Sequence, residues 1–193
     1  MSRKTLTPFS YVVMTLVGRG GAGPHDLVRM ARHGRVYWDA AESQWYAEPK
    51  RLGALGYLAA RKEPGMTRPR THYTLTAKGR QALAAWMDEP ARFPRIQNEA
   101  ICRLLAADLV GEQAVLDSLS ALRDEIADIF SRLDAAEAIA ATIPSRERYL
   151  LLNHRLARRI VQAHADWLDE VERELGSQRR RRASDPRPRR SQA

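Results

Sequence analysis

The chain has 193 residues, of which 44% are hydrophobic and 28% charged, with a single cysteine and a formal net charge of +9. This length suits one ordinary domain plus an appendage. One cysteine excludes an intramolecular disulfide framework and any multi-cysteine zinc site, which points to a reducing, cytoplasmic compartment. No run approaches the ~18 apolar residues needed to cross a bilayer, so no membrane partner is expected. The positive charge is uneven. Residues 1–89 carry 14 Lys/Arg against 7 Asp/Glu, residues 90–176 carry 11 against 15, and residues 177–193 carry 7 against 1. A basic first part fits a partner with phosphates.

Arg3 and Lys4 followed by the uncharged run Thr5 to Gly18 loosely resemble a signal peptide. Thr7-Pro8 argues otherwise, because it reads as an N-cap followed by a first-turn proline. A first helix is predicted from about Pro8 to Val17, and a second from Pro24 to His33 with Gly34 as its stop. A third runs from about Ser43 to Leu55, and Gly56 follows where a left-handed residue is needed. Tyr57 to Glu63 and Thr71 to Leu75 have strand propensity and flank a loop containing Pro64, Gly65 and Pro69, with Arg68 and Arg70 at its end. Thr76 can cap a fourth helix through Ala82, Leu83 and Trp86.

After Pro90 and Pro94 the pattern is purely helical. Ile101, Leu104, Leu105 and Leu109 form one amphipathic stretch. Val115, Leu119, Leu122, Ile126, Ile129, Leu133, Ala136 and Ala140 then alternate in steps of four and three, a heptad seam that demands a partner helix. Pro144 and Ser145 break the chain. A last long helix follows, with Tyr149, Leu152, Leu156, Ile160, Ala163, Trp167 and Val171 on one side. Each long helix reaches roughly 45 Å, so the pair is expected to protrude and meet a second subunit. The segment SQRRRRASDPRPRRSQA has no apolar periodicity and is expected to be disordered. It reads as a non-specific DNA arm, a contact for an acidic partner or a solvated terminus.

Three helices, a two-stranded hairpin and a basic tip describe a winged helix-turn-helix. In that arrangement the third helix enters a major groove ~12 Å wide and the wing touches the adjacent backbone or minor groove. On the third helix Ser43, Gln44, Ala47, Lys50 and Arg51 are expected outward, and Tyr46, Leu52 and Leu55 inward. The candidate DNA-binding set is Ser43, Gln44, Tyr46, Ala47, Lys50, Arg51, Arg61, Lys62, Arg68 and Arg70. The candidate dimerisation set is Val115, Leu119, Leu122, Ile126, Ile129, Leu133, Leu156, Ile160 and Trp167.

SQWYAEPKRLGALGYL, a wing and RTHYTLTAKGRQAL resemble the PadR family of transcriptional regulators, above all at Tyr46, Lys50-Arg51-Leu52, Leu55-Gly56, Tyr73-Thr74-Leu75-Thr76 and Gly79. The resemblance spans residues 7–175. It implies a dimeric, usually repressing, promoter-binding protein whose DNA affinity responds to a small molecule near the dimer interface. The sequence departs from the family pattern at GAGPHDLV, where many members have Gly-Pro-x-His-Gly-Tyr. Pro49 also falls inside the third helix, where it removes a backbone donor and should bend the helix or delay its start.

The expected architecture is mainly α: a winged helix-turn-helix domain with a two-stranded β wing (1–89), a long C-terminal helical hairpin for dimerisation (90–176) and an arginine-rich tail (177–193). The expected partners are double-stranded DNA, a second copy of the chain and a small aromatic effector, with no cofactor or metal and no catalysis. Two other readings stand beside this. GRGGAG fits G-x-G-x-x-G with Asp39 as a ribose-binding acid, which alone would suggest a dinucleotide site. In the other, the helical half is a protein-interaction module, with the winged domain used as an adaptor and the tail for acidic partners. Tyr37, Trp38, Trp45 and Tyr46 either stack a ligand or pack the core, and Trp86 and Trp167 either line an effector pocket or pack an interface. His154 and His164 are expected among polar neighbours, and Cys102 as an inert core thiol.

Overall fold

The structure is a computed structural model that describes residues 6–33, 36–38, 40–64 and 69–184. Gly34, Asp39, Arg68 and residues 185–193, all of which figure in the sequence expectations, lie outside these. The chain divides after Pro94 into two compact units.

The first unit is built from α1 (Pro8–Val17), α2 (Pro24–His33), α3 (Glu42–Ala54), β1 (Leu58–Glu63), β2 (Arg70–Leu75) and α4 (Ala77–Met87). Helix α1 starts where Thr7 and Ser10 form a reciprocal capping box, each side chain accepting from the other's amide, with Pro8 in the first turn. Helix α3 ends at Ala54 with Leu55 as its C-cap, and Gly56 takes φ +77°, the left-handed turn expected from the sequence. Thr76 caps α4 by accepting from the Gly79 amide at 3.1 Å. Val13, Met14, Val17, Leu27, Trp45, Leu52, Leu58 and Tyr73 converge in one core. The wing pairs β1 and β2 antiparallel, from Leu58 opposite Leu75 to Glu63 opposite Arg70.

The glycine run after α1 belongs to this wing. Ala22 pairs with Tyr73 through two hydrogen bonds of 3.0 Å, adding a one-residue rung to the free edge of β2. The Gly21 amide donates to the Val17 carbonyl at 3.0 Å, and the Gly23 amide to Asp26 Oδ2 at 3.1 Å. These amides, which a pyrophosphate would need, are already bonded within the protein. The sheet beside them has two antiparallel strands instead of a parallel array. The dinucleotide reading is therefore wrong.

The second unit holds α5 (Glu99–Leu105), α6 (Ala107–Val110), α7 (Glu112–Ala141) and α8 (Glu147–Ser184). Asn98 caps α5, accepting from the amides of Ala100 and Ile101. Arg123, early in α7, pairs with Asp169 and Glu172 late in α8, while Arg158 pairs with Asp134 and Glu137, so the two helices run antiparallel. The heptad seam does find a partner helix, but it is α8 of the same chain. Val115, Leu119, Ile126, Leu133, Ala136 and Ala140 are buried, and Leu122 and Ile129 are half-buried. On the α8 side the buried residues are His154, Ala157, Val161, Leu168 and Val171. Most of the stripe expected there lies on another face: Tyr149, Leu152 and Leu156 are 64%, 54% and 53% exposed. The buried stripe contains an alanine and a histidine, which hydrophobicity does not single out. Small residues such as Ala136, Ala140 and Ala157 allow close helix approach.

His154 is buried in the hairpin, and His164 sits among polar partners, Asn98 Nδ2 at 3.1 Å and the Ile160 carbonyl at 2.8 Å. Two smaller expectations are corrected. Cys102 is exposed rather than buried. Helix α8 continues through Gly176 and the four arginines to Ser184, so the tail expected to be disordered from residue 177 begins as helix.

Gly21 has φ +90°, and a Cβ there would lie 2.0 Å from His72 Nε2; Gly20 has φ +96° and open space around it. Gly21→Ala should therefore lower stability in urea unfolding by more than the ~1–3 kcal/mol of backbone strain alone, and Gly20→Ala by the strain alone. Equal losses would mean that contact with the wing is unimportant.

Candidate nucleic-acid interface

Helix α3 has two faces. Trp45, Pro49 and Leu52 are buried, and the Trp45 ring meets Phe9 edge-on with centroids 4.8 Å apart. Ser43, Gln44, Ala47 and Lys50 are exposed as expected. Tyr46 was expected inward, yet it is exposed because it lies about 100° around the helix from Trp45. The anchoring aromatic is Trp45. Pro49 neither delays nor interrupts the helix, which begins at Glu42, and its ring is fully buried on the inner face.

Arg51 was expected to face outward with Lys50. Instead its Nε and Nη2 donate to both carboxylate oxygens of Glu48, at 2.8 and 2.7 Å, a planar fork of the kind arginine makes with carboxylates. Nη2 also donates to Ser10 Oγ at 2.9 Å. Ser10 in turn donates to Glu48 Oε1 at 2.6 Å and is itself wholly buried. The hydroxyl that closes the α1 capping box thus also anchors α3. The Arg51 hydrogen bond holds the Glu48 carboxyl below its ordinary range against the opposing effect of burial, with help from Ser10. The same bond to Glu48 raises the Arg51 guanidinium. Neither Ser10 nor Glu48 was among the expected site residues. The signal available was an acid three residues before an arginine on a helix face.

The wing carries Arg61, Lys62 and Arg70. Arg61 and Arg70 are exposed, and both reach Glu63, at 2.6 and 3.4 Å. Lys62 Nζ donates to Thr71 Oγ1 at 2.9 Å. The hydrogen bond from Arg61 holds Glu63 below the usual carboxylate range against the opposing effect of desolvation, with the surrounding positive charges adding to it. The tip of the wing, with Arg68, lies outside the described residues.

Of the aromatic cluster, Trp38 stacks on Phe9 at 5.9 Å and Trp45 is core, whereas Tyr37 and Tyr46 are exposed. Trp86 stacks face to face on Tyr11 at 4.5 Å. Trp167 is half-buried on α8 in the second unit.

Three helices, a two-stranded wing and a basic edge define a winged helix-turn-helix protein with a separate helical hairpin. Comparison with solved structures agrees. The chain is similar to Bacillus subtilis PadR in complex with operator DNA, with a TM-score of 0.74 and 20% identity over 88% of this chain and 98% of that one. It is similar to the Vibrio cholerae virulence activator AphA at 0.66 and 24% identity, over 88% and 98%. A PadR-like transcriptional regulator from Bacillus cereus aligns at 0.63 and 13% identity, over 92% and 99%. Residues 96–176 match the family described as Virulence activator alpha C-term. The resemblance to the PadR family read from the sequence therefore stands at the level of the fold, over 88% of the chain. No curated protein matches the chain. Among the described residues, no helix is long and apolar enough to cross a membrane.

Because folding depresses the Glu48 titration, ionised Glu48 stabilises the fold above its ordinary value of 4.5, and that stabilisation disappears as pH falls through its lowered value. Glu48→Gln should cost on the order of 1 kcal/mol at neutral pH, discounted for the half-exposed arginine, and lose the corresponding acid sensitivity. Unfolding curves measured from neutral to acid pH check both points; parallel curves for the two proteins would contradict the assignment.

Proposed function

We propose that the protein is a homodimeric DNA-binding transcriptional regulator, acting as a repressor whose operator affinity responds to a small aromatic effector. One observation carries the DNA-binding part: α3 buries Trp45, Pro49 and Leu52 while exposing Ser43, Gln44, Tyr46, Ala47 and Lys50, in the same unit as the basic wing. Amide, hydroxyl and ammonium groups on such a helix read base edges, and arginines on a wing hold phosphates. Arg51 drops out of the reading set, because its guanidinium is committed to Glu48 and Ser10. That PadR was crystallised with operator DNA supports this reading.

The dimer is supported by the second apolar face of α8. Tyr149, Leu152 and Leu156 are exposed, with Ile160 and Trp167 half-buried beyond them. Val115, Leu119, Ile126 and Leu133 are buried within the chain and leave the proposed interface; half-buried Leu122 and Ile129 flank them. Two recognition helices held by a dimer would read half-sites one helical turn, or a multiple of it, apart. The effector is supported by the relative: PadR has been crystallised with p-coumaric acid. A ligand that prefers one arrangement of the subunits would shift DNA affinity by its differential binding, and Trp167 is a candidate contact. Quenching of tryptophan fluorescence by planar aromatic compounds, with a matching change in DNA affinity, tests this; a compound that binds without altering DNA affinity contradicts it.

Fluorescence anisotropy of the full chain on its own gene's upstream DNA should show binding tighter than to a shuffled duplex by a factor of about 10³ or more. Lys50→Ala should narrow that ratio. Arg61→Ala should weaken binding to both duplexes alike and flatten the dependence of log K on log salt by about 0.9. Equal binding to both duplexes would reduce the protein to a basic surface. Leu152→Glu with Leu156→Glu should halve the mass seen by light scattering while leaving helix content unchanged, and an unaltered dimer would move the interface elsewhere.

A further inference from the structure

One face of the wing gathers its charged groups around a single carboxylate. Residues opposite one another in an antiparallel pair share a face. The register Arg61 to His72 and Glu63 to Arg70 therefore sets all four on the same side. Glu63 Oε1 accepts from Arg61 at 2.6 Å, and Oε2 accepts from Arg70 at 3.4 Å. His72 Nδ1 lies 3.8 Å from the same Oε2. Its other nitrogen, Nε2, lies 3.3 Å from the Gly20 carbonyl in the turn after α1. Both ring nitrogens thus face acceptors. Neutral imidazole has one N–H to give, whereas imidazolium has two.

We propose that His72 is a positioning residue of the DNA-contacting wing: once protonated, it ties β2 to Glu63 and to the Gly20 carbonyl and relieves Arg61 and Arg70 of part of their shared counterion, so that they engage phosphate. This deepens the DNA-binding reading above and rests on it. Two arginines less one carboxylate leave one net positive charge on this face; protonated His72 makes it two. The charged groups around the imidazole are Glu63, with Arg61 and Arg70 on the same carboxylate. The turn presents the Gly20 carbonyl and Gly21, whose missing Cβ makes room for the ring, and Arg19 beside them is exposed. The proton adds one cation to the face proposed to meet phosphate, so DNA affinity should rise as pH falls.

The test is anisotropy of the full-length protein on the upstream duplex, across a salt series, at about pH 5.5 and about pH 8. For the unaltered protein the slope of log K against log salt should be steeper at the lower pH by up to about 0.9, the value of one added phosphate-neutralising charge. In His72→Gln that difference should vanish, while Lys50→Ala, weaker throughout, should keep it. Glu63→Gln should bind more tightly than the unaltered protein at the higher pH. If the unaltered protein prefers its upstream DNA but His72→Gln keeps the same pH dependence, the role of His72 is overturned and the DNA-binding reading survives. If the unaltered protein shows no preference for its upstream DNA at either pH, that reading falls, and the role of His72 falls with it.

Discussion

The helix proposed to read DNA must be held rigidly without using its outer face, and α3 meets this constraint with two attachments on one side. The first is apolar: Trp45, Pro49 and Leu52 recur at steps of four and three and enter the core of the first unit. The second is polar. Ser10, already engaged in the cap of α1, donates to Glu48 and accepts from Arg51, so the start of α1 and the middle of α3 are fixed by one buried hydroxyl. Removing the carboxylate would take from the buried hydroxyl its acceptor and from the half-exposed guanidinium its fork. The wing is held in a related manner. Tyr73 pairs with Ala22 on one edge of β2, and His72 reaches Gly20, which joins the sheet to the turn after α1.

The second unit answers a different constraint. A 38-residue helix with apolar residues on two faces cannot satisfy both against one neighbour. Helix α7 covers the face containing Ala157, Val161, Leu168 and Val171, and the ion pairs of Arg123 and Arg158 bracket that contact. Surface ion pairs of this kind contribute little each, so register along the hairpin rests mainly on the interlocking small and branched residues. The remaining face, with Tyr149, Leu152 and Leu156, is where a partner would bury most apolar area.

Much of the fold was legible because its punctuation is chemical. Thr7-Pro8, Gly56 and Thr76 marked helix ends where the structure has them, since caps and left-handed turns depend on a few side chains. The heptad seam of α7 is legible from its apolar spacing, although spacing does not say that the partner helix is α8 of the same chain. What stayed hidden depended on contacts between distant residues. Arg51 reads as a free cation because one member of its lock, Ser10, lies 41 residues away, although its main partner Glu48 is three residues before it. The stripe on α8 was misread because alanine and histidine carry its buried face, and Tyr46 because a two-residue aromatic pair does not say which ring turns inward. GRGGAG misled because its glycines serve a tight return to the wing, a use that the motif alone does not distinguish from phosphate binding.

The most direct test of the account is dimethyl sulfate protection of guanine N7, an atom that lies in the major groove, on the gene's own upstream DNA bound by the full chain. A helix seated in the groove should protect guanines in two short tracts about one helical turn, or a multiple of it, apart, and Lys50→Ala should weaken that protection. Uniform protection, or none despite measurable binding, would mean that the protein grips the backbone alone and that α3 does not read sequence.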